Sequence, residues 1–256
     1  MENKFAAQLF TLREELKKGI KPVFKKLSEM GWAGIQISAL PSGYDPYEVS
    51  EALQENNLGT AGMHVSLERL EQDLENVLAE AKLFNTKDLV CPFISQEIRT
   101  IEGYKYVKER LNDIARRAEG FRISYHNHAF EFETEIEGKS ALEYLLDPDS
   151  ENQILAEIDV FWVKKGGQDP LSFIQKYAQR MPIIHLKDMT KDDHETFAEV
   201  GTGKIDFLPI LKWCESSGVQ WYAVEQDKCP GNPMDSLQKS LDNLKEMSNQ
   251  LQTSTK

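Results

Sequence analysis

His126 and His128 stand one residue apart in YHNHAFEFE (125–133). In an extended strand, side chains two residues apart face the same way, so the two imidazoles would present themselves to one side. Imidazoles beside carboxylates make divalent-metal sites and acid–base pairs, and Glu131 follows closely in the same stretch. The same residue types recur down the chain: Gln8, His64, Glu157 with Asp159, His185 with Lys187 and Asp188, and Glu225 with Asp227. Singly, each has a bland reading. A histidine at a strand end is more often a hydrogen-bonded structural residue, and an aspartate there caps the next helix.

The elements that would carry them alternate regularly. Short apolar runs at 4–10, 34–38, 60–65, 88–93, 122–128, 154–160, 182–188 and 221–227 read as strands. Amphipathic stretches at 21–30, 46–57, 67–84, 104–119, 140–146, 170–179, 207–217 and 235–251 read as helices, and QLQTSTK (250–256) as a frayed tail. Short apolar strands separated by helices pair in parallel. Eight such units without a linker fit one α/β domain over 1–256, a closed (β/α)8 TIM barrel. The competing doubly wound sheet would carry a glycine-rich first turn, which QLFTLRE lacks.

Composition narrows the function classes. The 256 residues are 40% hydrophobic and 28% charged, and the formal net charge of −12 repels phosphate backbones, so nucleic acid is not an expected partner. No run approaches the ~20 apolar residues of a membrane span, and MENKFAAQLF lacks a secretory core. Cys91, Cys214 and Cys229 form no CxxC pair and fit a reducing, cytoplasmic setting. A homo-oligomer stays open.

Barrel active sites lie at the carboxyl ends of the strands, and four of the five histidines fall there; the fifth, His194, lies in a loop. Histidine and carboxylate from strands five to eight would converge on one mouth, a mixed N/O set suited to Mn²⁺, Co²⁺ or Zn²⁺. Glu157 would sit one layer deeper than Asp159, paired with a charge inside the barrel. GTGK (201–204) resembles a phosphate loop but lacks the earlier glycine and the following Ser or Thr. KDDHETFAEV (191–200) lacks the glycine of a calcium loop and reads as solvated. No G-x-S-x-G elbow is present.

At these residues the sequence resembles the sugar phosphate isomerase/epimerase family, the xylose isomerase-like TIM barrels that include endonuclease IV. The likeness runs through AQLFTLRE, YHNHAFEF, EIDVFWV, HLKD, VGTGKIDFLPIL and VEQD, in order over nearly the whole chain. It implies one divalent metal, manganese foremost and cobalt or zinc as alternatives, held by residues of strands five to eight. Asp159, His185 and Glu225 match the last three ligand positions. Strand five departs, with His126 where the epimerases place a glutamate that is ligand and base; this brings the chain nearer the inosose dehydratase branch. His128 and Glu131 are alternative fourth ligands. Trp162 stands where epimerases and endonuclease IV carry a histidine, so a three-metal nuclease site is not expected.

The resulting expectation is a metal-dependent sugar isomerase or epimerase that moves a proton next to a metal-bound carbonyl through an enediolate. Its near equal is a dehydratase or lyase on an inosose or 3-keto-glycoside, and its remote rival a non-catalytic sugar-binding barrel. Glu225 would be ligand and base, with Lys187 or His64 protonating a leaving group. Gln8, His128, Glu131 and Trp162 would contact a small carbohydrate.

Overall fold

Eight parallel strands close into a barrel in the computed structural model, which describes residues 1–253. They are β1 (Phe5–Gln8), β2 (Gly34–Ile37), β3 (Gly59–His64), β4 (Asp88–Cys91), β5 (Arg122–His126), β6 (Leu155–Asp159), β7 (Ile183–Leu186) and β8 (Trp221–Val224). Each pairs with its sequence neighbours, and β1 closes on β8 with Phe5 opposite Tyr222. The main core fills the space between strands and helices, where Tyr125, Tyr222 and Phe5 are wholly buried.

Local chemistry starts the helices where the chain leaves the barrel. Asp45 accepts from Tyr47 N and precedes Pro46, which is tolerated in a first turn. Ser140 and Glu143 form a reciprocal capping box. Asp169, again before a proline, and Asp206 cap the helices that follow β6 and β7.

The period of two along each strand sorts the barrel interior into layers. At the bottom lie Val90, Ile183 and Ala223, packed with Trp221. Gly34 and Gly59 make room for that indole: a Cβ on Gly34 would stand 2.8 Å from the Trp221 ring, and one on Gly59 2.6 Å. Two residues up from Ile183 and Ala223 are His185 and Glu225, and two further are Lys187 and Asp227. An apolar floor therefore carries a polar middle and a charged rim.

Several boundaries differ from the sequence reading. The expected helix over 67–84 is two helices, Leu67–Gln72 and Leu74–Leu83, broken at Asp73 (φ −135°). Strand β5 stops at His126 rather than 128. An additional helix, Val160–Lys165, begins directly at β6, because Asp159 accepts from Phe161 N and Trp162 N and caps it. Within the stretch expected as a solvated loop, Phe197–Ala198 pairs with Asp188–Met189. The terminal helix runs to Thr253, so part of the expected frayed tail is helical, and 254–256 lie outside the described residues. No helix among the described residues is long and apolar enough to cross a membrane.

Candidate metal centre

The register brings the functional side chains together. Asp159 on β6 is directly opposite His185 on β7, and His126 on β5 is opposite Glu157 on β6. His126, Asp159, His185 and Glu225, all buried, offer ligand atoms within 4.8 Å of one another. His185 Nδ1 lies 3.4 Å from Glu225 Oε2 and 3.9 Å from Asp159 Oδ2. Metal–ligand bonds of roughly 2.1 Å at tetrahedral angles hold ligand atoms about 3.4 Å apart, so these separations suit a cation.

Two buried atoms support that fit. Asp159 Oδ2 and His185 Nδ1 make no hydrogen bond, although unpaired buried polar atoms are costly. Asp159 Oδ1 is engaged with the backbone N–H groups of Phe161 and Trp162 at 2.9 and 3.2 Å, which leaves Oδ2 for the barrel axis. Lys187 Nζ stands at ion-pair distance from three carboxylates, 3.0 Å from Asp159 Oδ2 and 2.7 Å from both Glu225 Oε2 and Asp227 Oδ2, with no directed hydrogen bond to either aspartate.

A second group, His64, His126, Glu157 and His185, lies beneath the first and shares two histidines with it. Here the atoms are already bonded. Glu157 Oε1 is 2.6 Å from His64 Nε2, 3.2 Å from His126 Nδ1 and 3.0 Å from His185 Nε2. Glu157 Oε2 accepts from Gln36 Nε2 at 2.5 Å. The expected interior charge pair of Glu157 is thus a cluster of three imidazoles.

Charge and burial pull these groups in opposite directions. Burial would raise the Glu157 carboxyl, but His185 and His64 outweigh it and hold it well below the usual range. Burial would likewise raise Glu225, yet Lys187 and His185 keep it low and ionised. Burial lifts Asp159 to about 6 despite the nearby Lys187 ammonium. Burial disfavours charge on His185, but Glu157 and Glu225 carry it up to about 10. The same competition, won by Asp159, Glu225 and Asp227, raises Lys187 above the ordinary lysine value. Burial, reinforced by His185, pushes His126 well below the ordinary value, and burial with Lys187 takes His128 to about 3.

A cavity of about 480 Å³ opens above the cluster, lined by Phe10, Ser38, Pro92, His64, His126 and His128 with Glu225 and Asp227 opposite. His64 lines it, but its nitrogens face Gln8 and Glu157. His128 lies past the end of β5, half-buried, its ring 5.2 Å from that of His126. Trp162 stands behind His128, ring centroids 5.3 Å apart, with Lys187 Nζ 5.4 Å from its ring.

Glu131 and Gln8 lie away from the cavity. Glu131, expected as an alternative ligand or a carbohydrate contact, neither joins the cluster nor lines the cavity; it is fully buried, accepting from the Tyr125 hydroxyl and His128 N, each at 2.8 Å. Tyr125 alternates with His126 and points out of the barrel, which takes its partner away from the cavity. Gln8 is also fully buried, donating to Gln36 Oε1 at 2.9 Å and facing His64. Sequence reasoning missed Gln36, whose only signal was an amide inside the apolar strand GIQIS (34–38), and the cavity walls Phe10 and Pro92.

Fold and site together define a parallel (β/α)8 barrel with a buried histidine–carboxylate cluster at the carboxyl ends of its strands. The chain belongs to the xylose isomerase-like TIM barrel family, whose model matches residues 24–247. It is similar to an inosose dehydratase of Clostridium perfringens, 28% identical over 169 residues; the match covers 58% of this chain, and the chain spans only 56% of that relative. An inosose dehydratase of Geobacillus kaustophilus is 25% identical over 81% of this chain and 80% of its own. Among solved structures, a sugar phosphate isomerase/epimerase from Parabacteroides distasonis superposes with a TM-score of 0.78 at 21% identity, covering 95% of this chain and 98% of that one. A D-tagatose 3-epimerase-like protein gives 0.73 at 17% identity over 99% and 100% of the two chains.

Proposed function

We propose that this barrel is a divalent-metal-dependent enzyme that removes a proton next to the carbonyl of a small, neutral carbohydrate. The observation that carries the reading is Glu225: ionised, facing the cavity, 2.7 Å from the Lys187 ammonium and 3.4 Å from His185 Nδ1. His126, Asp159, His185 and Glu225 would hold the metal, with manganese, cobalt and zinc all compatible with such N/O ligands. When bound, the cation polarises a substrate carbonyl and so acidifies the adjacent C–H.

The chain's own groups do the rest. Glu225 takes the proton. Lys187, caged by three carboxylates, keeps its proton and holds Glu225 in place. His128, neutral because of burial, offers a hydrogen-bonding ring to a hydroxyl on the opposite wall. Phe10 and Pro92 supply apolar surface for the C–H face of a sugar and keep water from the carbanion.

Among the described residues the wall across from Glu225 carries His64, His126 and His128 but no carboxylate. Both His64 nitrogens are engaged with Gln8 and Glu157, His126 would hold the metal, and burial takes His128 down to about 3, so none of the three is a strong base. Epimerisation needs such a second base on that face, whereas isomerisation needs one base that returns the proton to the neighbouring carbon on its own side, and loss of a β-hydroxyl one base that passes it to the leaving group. One-base chemistry is therefore the better reading. The similarity to inosose dehydratases favours elimination, in which Glu225 would pass the abstracted proton to the departing hydroxyl to give water.

The test is Mn²⁺-loaded protein with neutral keto-sugars, inososes and 3-keto-glycosides in D₂O. Exchange of the substrate α-hydrogen, abolished in Glu225→Gln at matched metal occupancy, is the expected result. Turnover of α-deuterated substrate with no isotope effect and no label loss or migration would overturn proton transfer.

A further inference from the structure

The hydrogen bonds below the metal cluster have a direction, and two backbone groups fix it. Phe10 N donates to Gln8 Oε1 at 3.0 Å, so the Gln8 amide nitrogen must face Gln36 and His64. A donor aimed at His64 Nδ1 requires that nitrogen to accept, so the His64 proton is on Nε2, 2.6 Å from Glu157. Independently, Ala61 O accepts from Gln36 Nε2 at 3.2 Å, which turns the Gln36 carbonyl toward His185 Nε2, 2.6 Å away. His185 Nε2 then faces two acceptors, Gln36 Oε1 and Glu157 Oε1, and must carry a proton. His126 Nδ1 faces the same carboxylate and must carry one too. No amide flip is free, because each amide ends on a backbone donor or acceptor.

Building on the metal reading above, we propose that Glu157 is a positioning residue that decides which imidazole nitrogens face the metal. Sharing one carboxylate, His185 is fixed with Nε2–H down and Nδ1 toward Asp159 and Glu225, while His126 is fixed with Nδ1–H down and Nε2 toward the mouth. One acceptor thus sets two ligands through opposite ring nitrogens. Partners of this kind fix ring orientation and tautomer at metal sites generally. Glu157 is not itself a ligand of a second, lower cation. Its contacts to three imidazoles are hydrogen bonds, and the one to His64 Nε2, 2.6 Å, is closer than the ~3.0 to 3.4 Å that octahedral or tetrahedral ligands keep around a metal.

Long-range ¹H–¹⁵N correlation spectra test this on the whole 256-residue chain, metal-free and loaded with Zn²⁺. Protonated nitrogens are expected at His64 Nε2, His126 Nδ1 and His185 Nε2 in both states. Zinc should shift His185 Nδ1 and His126 Nε2. The isosteric Glu157→Gln, whose amide cannot accept from three imidazoles at once, should lose this pattern and bind Zn²⁺ 10- to 100-fold more weakly. An unprotonated His185 Nε2 or His126 Nδ1 in the wild type overturns the proposal, and this needs no variant to fold. Two zinc ions per chain, or unchanged spectra and affinity in Glu157→Gln, also overturn it. Failure of the wild type to bind zinc or manganese, with the three N–H groups in place, defeats the metal reading alone and supports the hydrogen-bond assignment.

Discussion

Asp159 and His185 face each other across β6 and β7 with Asp159 Oδ2 and His185 Nδ1 3.9 Å apart, both buried and neither hydrogen-bonded. Two buried atoms without directed hydrogen bonds, held this close beside an ionised Glu225, make a site suited to a cation, with the Lys187 ammonium 3.0 Å from Asp159 Oδ2 as its neighbour. Asp159→Ala, His185→Ala and Glu225→Ala should each lower Mn²⁺ or Zn²⁺ affinity at least ~10-fold. Titration followed by elemental analysis reads the effect; full occupancy in all three variants would remove the metal site.

Neutral substrates should be preferred to phosphorylated ones. Neither arginine nor lysine lines the cavity among the described residues, and Glu225 and Asp227 do. A phosphate would enter against two carboxylates. We expect kcat/KM for a sugar phosphate to be at least ~10-fold below that of its parent sugar, a difference of about 1.4 kcal/mol in the barrier. Equal or higher efficiency on the phosphate contradicts it.

Trp162 supports His128 from behind, so its size should matter for binding through that ring. Trp162→Phe should keep most of the packing. Trp162→Ala should cost about 3 kcal/mol of stability, as large aromatic truncations do, and raise KM several-fold more than Trp162→Phe. Denaturation curves and KM values for both variants decide it. Lost stability with unchanged KM would leave Trp162 as packing alone.

Glu131 makes stability depend on pH. Burial lifts its carboxyl from 4.5 to about 7, so the folded chain holds that proton more tightly than the unfolded one. Its favourable effect is complete below pH 4.5 and is lost as pH rises through about 7, amounting to about 3 kcal/mol. Glu131→Gln cannot titrate. The stability difference between variant and wild type, measured in urea, should therefore drift by that amount in the variant's favour between pH 4.5 and pH 8. A flat difference would show that Glu131 is ionised throughout.

Gly34→Ala tests the barrel floor. Its methyl would meet Gly59 O at 2.7 Å and the Trp221 ring at 2.8 Å. Overpacking of this kind costs about 1–3 kcal/mol, and the paired Trp221→Leu should recover part of it. Additive losses in the double variant would show that the two positions do not compete for the same space.

Much of this was legible in the sequence because it depends on short-range pattern. Strand–helix alternation repeated eight times, without a glycine-rich first turn, points to a parallel barrel rather than a doubly wound sheet, and the period of two along HLKD and VEQD stacks His185 below Lys187 and Glu225 below Asp227. Asp159, His185 and Glu225 could be placed at one mouth on that basis alone. The end of β5 could not be read, since YHNH continues as a strand by composition while Glu131 draws the backbone of His128 into a turn. What only the tertiary structure decided is the wiring beneath the mouth. Gln36 reaches Glu157 across 121 residues, and His185 reaches Gln36 across 149. Bonds between such distant positions exist only once the barrel has closed in one register, because a slip of one residue would turn each of these side chains to the other face of its strand.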